Sequence, residues 1–232
     1  MTLARIQLLL AGALALCASP LSAQFVAEDA GTFDVRVGGR SVGTEDFSLQ
    51  QSGSGANAEI LASGRVDLVL PTGTVDLVTR LRTSGFQAQP VGYEVTVGGT
   101  APRKVVGTIG DGRFSARIAT PSGEQMREYL VSPEATVLDD GVAHHYYFLA
   151  RRIRDGRVPI IVPRDNRQTM ATVRDSGVEN VTIGDTLVSL YRLDVQPDGG
   201  EMRHVWLDDL GRVIRVDIPS RGYVAVRTEL PQ

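Results

Sequence analysis

The chain has little of several things, and each shortage excludes a class of protein. It holds one cysteine, Cys17, in 232 residues, which rules out a disulfide framework and a cysteine-ligated metal centre. Its only lysine is Lys104, so there is no Walker lysine, and no Gly-x-Gly-x-x-Gly loop precedes a helix; nucleotide binding of either kind has no motif. Beyond the first two dozen residues, no apolar run reaches the roughly 20 residues of a membrane-spanning helix. Aromatics are 6% of the chain, and the 24 basic and 27 acidic residues give a net charge of −3. No basic face is apparent, which argues against a nucleic-acid partner. With 42% hydrophobic residues, the composition is that of an ordinary globular protein able to bury a core without metal or disulfide.

Residues 1–23 read as a secretory signal peptide. Arg5 precedes an apolar stretch, and Pro20 and the small residues Ser22 and Ala23 form an exit. Leu16 stands where a lipoprotein signal would place a small residue before the acylated cysteine, so Cys17 is expected to leave with the leader. The expectation is an exported chain, periplasmic or secreted, with residues 24–232 forming one soluble domain that has no transmembrane span.

What is present is mostly period-two alternation. Phe33, Val35 and Val37 alternate with polar residues, as do Tyr93, Val95 and Val97, then Phe114, Ala116 and Ile118, and finally Ile214, Val216 and Ile218. Such runs are strands with one buried and one wet face. Gly38-Gly39, Gly98-Gly99, Asp111-Gly112 and Asp198-Gly199-Gly200 punctuate them at hairpin spacing. Residues 50–57 are Ser/Gly-rich and read as a flexible loop. One segment has a different period. Val142, Tyr146, Leu149 and Ile153 form a stripe of a helix over residues 142–153. Asp139 and Asp140 are placed to cap it, Arg151, Arg152 and Arg154 crowd its end, and Gly156 and Pro159 stop it. Residues 159–168 read as a loop crossing back to the sheet.

Candidate chemistry is sparse. Adjacent helical residues point about 100° apart, so His144 and His145 cannot chelate one ion together. His145 is expected on the sheet side and His144 at the surface. His204 lies on a distant strand; a metal or hydrolytic site would need it beside His144 or His145, with a carboxylate such as Asp139 or Glu134. A serine hydrolase needs its nucleophile on a strand-to-helix elbow with a Gly-x-Ser-x-Gly signature; no such elbow is expected, and the nearest glycine-flanked serine run, Gly53-Ser54-Gly55, sits in a polar loop. No catalytic residue, metal ligand or cofactor is assigned.

The segments Phe33-Asp-Val-Arg-Val37 with Gly38-Gly39-Arg40 and Val42-Gly43-Thr44-Glu45, the ending Val205-Trp206-Leu207-Asp208-Asp209 with Gly211-Arg212-Val213, and the helix Tyr146-Tyr147-Phe148-Leu149 resemble a group of uncharacterised exported bacterial proteins. That group is similar to the LolA-like half-barrel superfamily of lipoprotein and lipid carriers. The resemblance implies a mainly β fold: a single curled antiparallel sheet, an unclosed β-barrel, wrapped around one central helix. It also implies a non-catalytic envelope protein holding a lipid, acyl chain or other apolar ligand between sheet and helix. The lining would be Phe114, Ile118, Val142, Tyr146, Leu149, Ile153, Trp206, Ile214 and Val216. The alternative is a structural or adaptor module that docks another envelope protein; a hydrolase or metal enzyme is the remote third.

Overall fold

The computed structural model describes residues 25–232. The leader assigned to residues 1–23, with Cys17, lies outside them. Eight strands come first: β1 (Val26–Val37), β2 (Arg40–Ser52), β3 (Glu59–Leu70), β4 (Gly73–Ser84), β5 (Gln89–Val97), β6 (Arg103–Gly110), β7 (Arg113–Thr120) and β8 (Gly123–Leu130). Each pairs antiparallel with the next. A two-residue strand β9 (Thr136–Val137) and the helix α1 (Tyr146–Arg152) follow. The chain then makes β10 (Gly156–Val162), β11 (Arg167–Ile183), β12 (Thr186–Pro197), β13 (Arg203–Leu207), β14 (Val213–Ile218) and β15 (Tyr223–Arg227).

The two halves join where β15 returns to pair with β1, Phe33 opposite Arg227. This makes one fifteen-stranded sheet with β8 at one end and β9 at the other. The ends do not pair, so the sheet is unclosed, as the resemblance implied. It curls far enough for its ends to approach: the Tyr129 hydroxyl donates to the Arg167 carbonyl at 3.4 Å and the Ser132 N–H to Gln168 Oε1 at 2.7 Å.

Strand alternation sets which side is apolar. Along β3 the residues Ile60, Ala62, Val66 and Leu68 are buried while Glu59, Arg65 and Asp67 are exposed. The buried set from β1–β7 and β10–β15 shares one core with every apolar residue from Val142 to Ala150. Residues 142–150 are therefore enclosed by the wall, not laid on it by one stripe, and only the end of the helix, at Arg151, is exposed. A second, smaller cluster sits on the opposite face: Ile183, Leu190, Trp206 and Ile214. It forms because β11 has a bulge between Asp175 and Val178, beyond which Val181 and Val188 pack against this outer patch.

Several expectations are corrected. The helix proper is shorter than 142–153: residues Ala143–His145 form a 3-10 turn, α1 occupies Tyr146–Arg152, and Ile153 is already extended with φ −153°. Gly141 has φ +70°, a left-handed conformation that cannot begin a helix. Residues 159–168 are not a crossing loop. Pro159 lies within β10, opposite Met170 of β11. The missing N–H is tolerated near the open end of the sheet, where β9 covers only Ile160 and Ile161. The stretch 50–57 is not all loop, since β2 runs to Ser52 before a 3-10 turn at Gly55–Asn57.

Burying the helix also buries charge. Arg227 and Asp29 pair with almost no solvent exposure. The guanidinium lies 5.3 Å from the Phe33 ring centre and 4.6 Å from that of Phe47, which adds cation–π attraction where water is excluded. This pair holds the β1–β15 seam, because Arg227 also donates to the carbonyls of Val213 and Ala30.

Candidate functional site

Buried Asp139 and half-buried Asp140 flank the entry to the helix, and neither caps it as the sequence led one to expect. Asp139 and Asp140 make no cap; Glu45 of β2 does. Its carboxylate, fully buried, accepts from the backbone N–H of Ala143 at 2.7 Å and of His144 at 3.0 Å, and from His144 Nδ1 at 2.7 Å. Free N–H groups at a helix start need an acceptor when buried, and a negative charge suits that end. The wall supplies it from 98 residues away in sequence.

His144 is consequently buried, 1% exposed, and not at the surface. Its ring is stacked on Phe47, with centroids 5.6 Å apart, and fits because Gly64 faces it. A Cβ at Gly64 would lie 2.4 Å from His144 Cε1. His145 Nδ1 accepts from the Asp139 N–H at 3.1 Å, which places the ring proton on Nε2. Burial pushes His145 well below the usual histidine range, helped by His144 and Arg164, so it is neutral. The Nε2 atoms of both histidines are buried without a partner.

Asp139 accepts from the Tyr93 hydroxyl at 2.7 Å and from Arg164 Nε at 2.9 Å. Burial raises its carboxyl above the ordinary value despite that company. Asp140 accepts from Arg203 Nη2 at 3.2 Å and Arg221 Nη1 at 2.7 Å, and its carbonyl accepts from Arg164 Nη2. Burial alone would raise Asp140, but the guanidiniums of Arg221, Arg203 and Arg164 outweigh it and hold it low. Arg203 also donates to the Tyr146 hydroxyl at 2.9 Å, tying the helix to β13. Arg221 pairs with Glu201, whose other oxygen takes the Ser220 hydroxyl.

This network forms the floor of two adjoining concavities at the mouth of the barrel. One, of about 440 Å³, is polar, and arginines 103, 164, 167, 203 and 221 line it. The other, of about 400 Å³, is walled by Val37, Leu68, Leu70, Val75, Leu77 and Tyr223. Asp140, Arg164 and Arg221 belong to both. The apolar groove and the polar pocket thus meet at these three residues.

The nine residues expected to line a ligand cavity are split by the structure. Val142, Tyr146 and Leu149 are buried in the main core together with Phe114 and Val216, and Ile118 and Ile153 pack at its margin. Trp206 and Ile214 lie in the outer cluster, away from the helix. Val205 and Leu207 point into the core, so Trp206 between them must point out; its Nε1 donates to Glu179 at 3.0 Å. The same parity removes His204 from the other histidines. It faces outward and bonds Asp194 at 2.6 Å, with the sheet between it and the buried pair.

The expectation of no Gly-x-Ser-x-Gly elbow is corrected in spacing but not in structure. Gly39-Arg40-Ser41-Val42-Gly43 has the spacing of a hydrolase nucleophile elbow. Ser41 instead opens β2, exposed, with no helix after it, and its hydroxyl donates to Asp34 at 2.5 Å. Among the described residues no cluster of three or more His, Cys, Asp or Glu could hold a metal ion, and no helix is long and apolar enough to cross a membrane.

No family model matches the chain, and no curated protein matches it. Among solved structures it is similar to a beta-barrel-like protein of the domain of unknown function DUF1849 from Brucella abortus. The TM-score is 0.52 at 9% identity, over 85% of this chain and 93% of that one. The likeness is one of fold.

Proposed function

We propose that the protein is a non-catalytic carrier or sensor of an amphipathic, acyl-chain-bearing ligand in the cell envelope. The observation that carries the reading is the apolar groove of about 400 Å³ that shares Arg164 and Arg221 with the polar pocket beside it. Binding sites for small apolar molecules are concavities of this order, with a few placed polar groups. The ligand site is the mouth and not the helix stripe, because the stripe is packed into the core. Export follows from the leader-like character of residues 1–23.

The test is native mass spectrometry of the protein purified from its own envelope, together with uptake of a fluorescent fatty acid. A retained lipid, saturable uptake at one site, and weaker uptake in Leu70→Asp support the reading. A clean apo mass with no uptake rejects it.

A second reading has one observation in its favour. β8 is an end strand with nearly every residue exposed, Met126 and Leu130 among them at 70% and 71%. An open edge of this kind suits strand addition by a protein partner. A photo-crosslinker at position 126 that captures one envelope protein in cells would favour docking; no capture would remove it.

A further inference from the structure

We infer that the polar pocket at the barrel mouth is an oxyanion site, built to hold the phosphate of a ligand whose chain lies in the adjoining groove. The inference deepens the ligand reading above and rests on it. Five arginines line the pocket against four carboxylates, Asp139, Asp140, Asp165 and Glu201. Three arginines are immobilised by partners already described, so their guanidiniums are fixed before any ligand arrives. Such preorganised forks match tetrahedral oxyanions better than flexible ammonium groups do.

The donors left over are the telling part. Arg203 is 9% exposed, and its Nε is buried with no hydrogen-bond partner. Arg103 of β6 forms no ion pair among the described residues, and Arg167 has only a loose contact with Asp165 at 3.6 Å. Three of the four carboxylates, by contrast, are engaged: Asp139 by Arg164, Asp140 by Arg203 and Arg221, and Glu201 by Arg221, while exposed Asp165 has only the Arg167 contact. Unmatched donor capacity in a concavity with five arginines and three of its four acids already paired favours an anion over a cation. Asp140 stands at the boundary with the groove, and its two guanidinium partners keep it from opposing a nearby phosphate.

A lipid headgroup and free phosphate share this chemistry, and isothermal titration of the purified protein separates them with three probes below micellar concentration. These are dodecyl phosphate, dodecyl maltoside and inorganic phosphate, each measured on the wild type and on Arg103→Gln/Arg167→Gln. Neither substituted arginine anchors the helix. Dodecyl phosphate should bind at least about tenfold more tightly than dodecyl maltoside, and the double variant should lose about tenfold for the phosphate alone. Equal binding of the two alkyl probes, unmoved by the substitutions, would overturn the oxyanion site while leaving the ligand reading standing. Inorganic phosphate binding as tightly as dodecyl phosphate would overturn the coupling to the groove, and with it the acyl-chain reading. Binding of none of the three would overturn both.

Discussion

Replacing Glu45 by alanine should be among the most damaging single changes in the wall. Three donors converge on that carboxylate, two backbone N–H groups and His144 Nδ1, at 2.7–3.0 Å, and both side chains are fully buried. Truncation leaves all three donors without an acceptor in a space closed to water. An orphaned buried donor costs about 1–3 kcal/mol, and three donors lose their acceptor together. An expected loss of about 3–5 kcal/mol is a large share of the roughly 5–15 kcal/mol available to a protein. Urea unfolding followed by circular dichroism measures it. Glu45→Gln keeps one acceptor oxygen and should lose less, about 1–3 kcal/mol, and it supplies the measurement if the alanine variant does not fold. Hydrogen exchange should show the amides of Ala143 and His144 losing protection first. A loss below about 1 kcal/mol in Glu45→Ala, with those amides still protected, would refute the idea that β2 caps the helix.

Two further outcomes follow from the same packing. Leu149 is 1% exposed in the main core, so Leu149→Ala should cost about 2–5 kcal/mol by urea unfolding; a cost near zero would mean the side chain borders open space. His145 is held neutral in the fold, below its ordinary 6.5, whereas the unfolded chain protonates it as pH falls through about 6.5. The unfolded state then binds the extra proton, so the stabilisation present above that pH is lost on acidification, by up to about 1.4 kcal/mol per pH unit. Between pH 6 and 5 the wild type should therefore lose stability more steeply than His145→Leu. Asp139 titrates with the opposite sign in both proteins and largely cancels in the difference; equal slopes would show that His145 is protonated in the fold.

Much of the architecture was legible because strands with one wet face announce themselves. β1, β5, β7 and β14 were all visible as alternation, and the helix stood out by its change of period. β8 was not, since GEQMREYL is exposed nearly throughout and an end strand wet on both faces carries no apolar signal. Periodicity also cannot say which face of a strand is inside. That is why Trp206 was assigned to the wrong side; Ile214 leaves the face of Val216 and Ile218 because it is the extra residue of the bulge where Trp206 pairs with Arg215 and Leu207 with Val213. The cap by Glu45 had no local signal at all, because donor and acceptor lie far apart in the chain. The mouth did leave a trace. Pro163-Arg164-Asp165-Asn166 and Pro219-Ser220-Arg221-Gly222 are the same device, a 3-10 turn opened by proline and closed by a left-handed residue. Each turn carries an arginine to Asp140. The paired Pro-led turns are thus the local signal that brings the two arginines together.

The helix as a buried plug and the mouth as the ligand site stand or fall on where a ligand touches. The most direct measurement is methyl and amide NMR of the protein titrated with dodecyl phosphate. Shifts confined to Leu68, Leu70, Val75, Tyr223 and their arginine neighbours, with Phe148 and Leu149 unmoved, are the predicted result. Shifts centred on Leu149, Tyr146 and Val216 would place the chain between helix and sheet and contradict it.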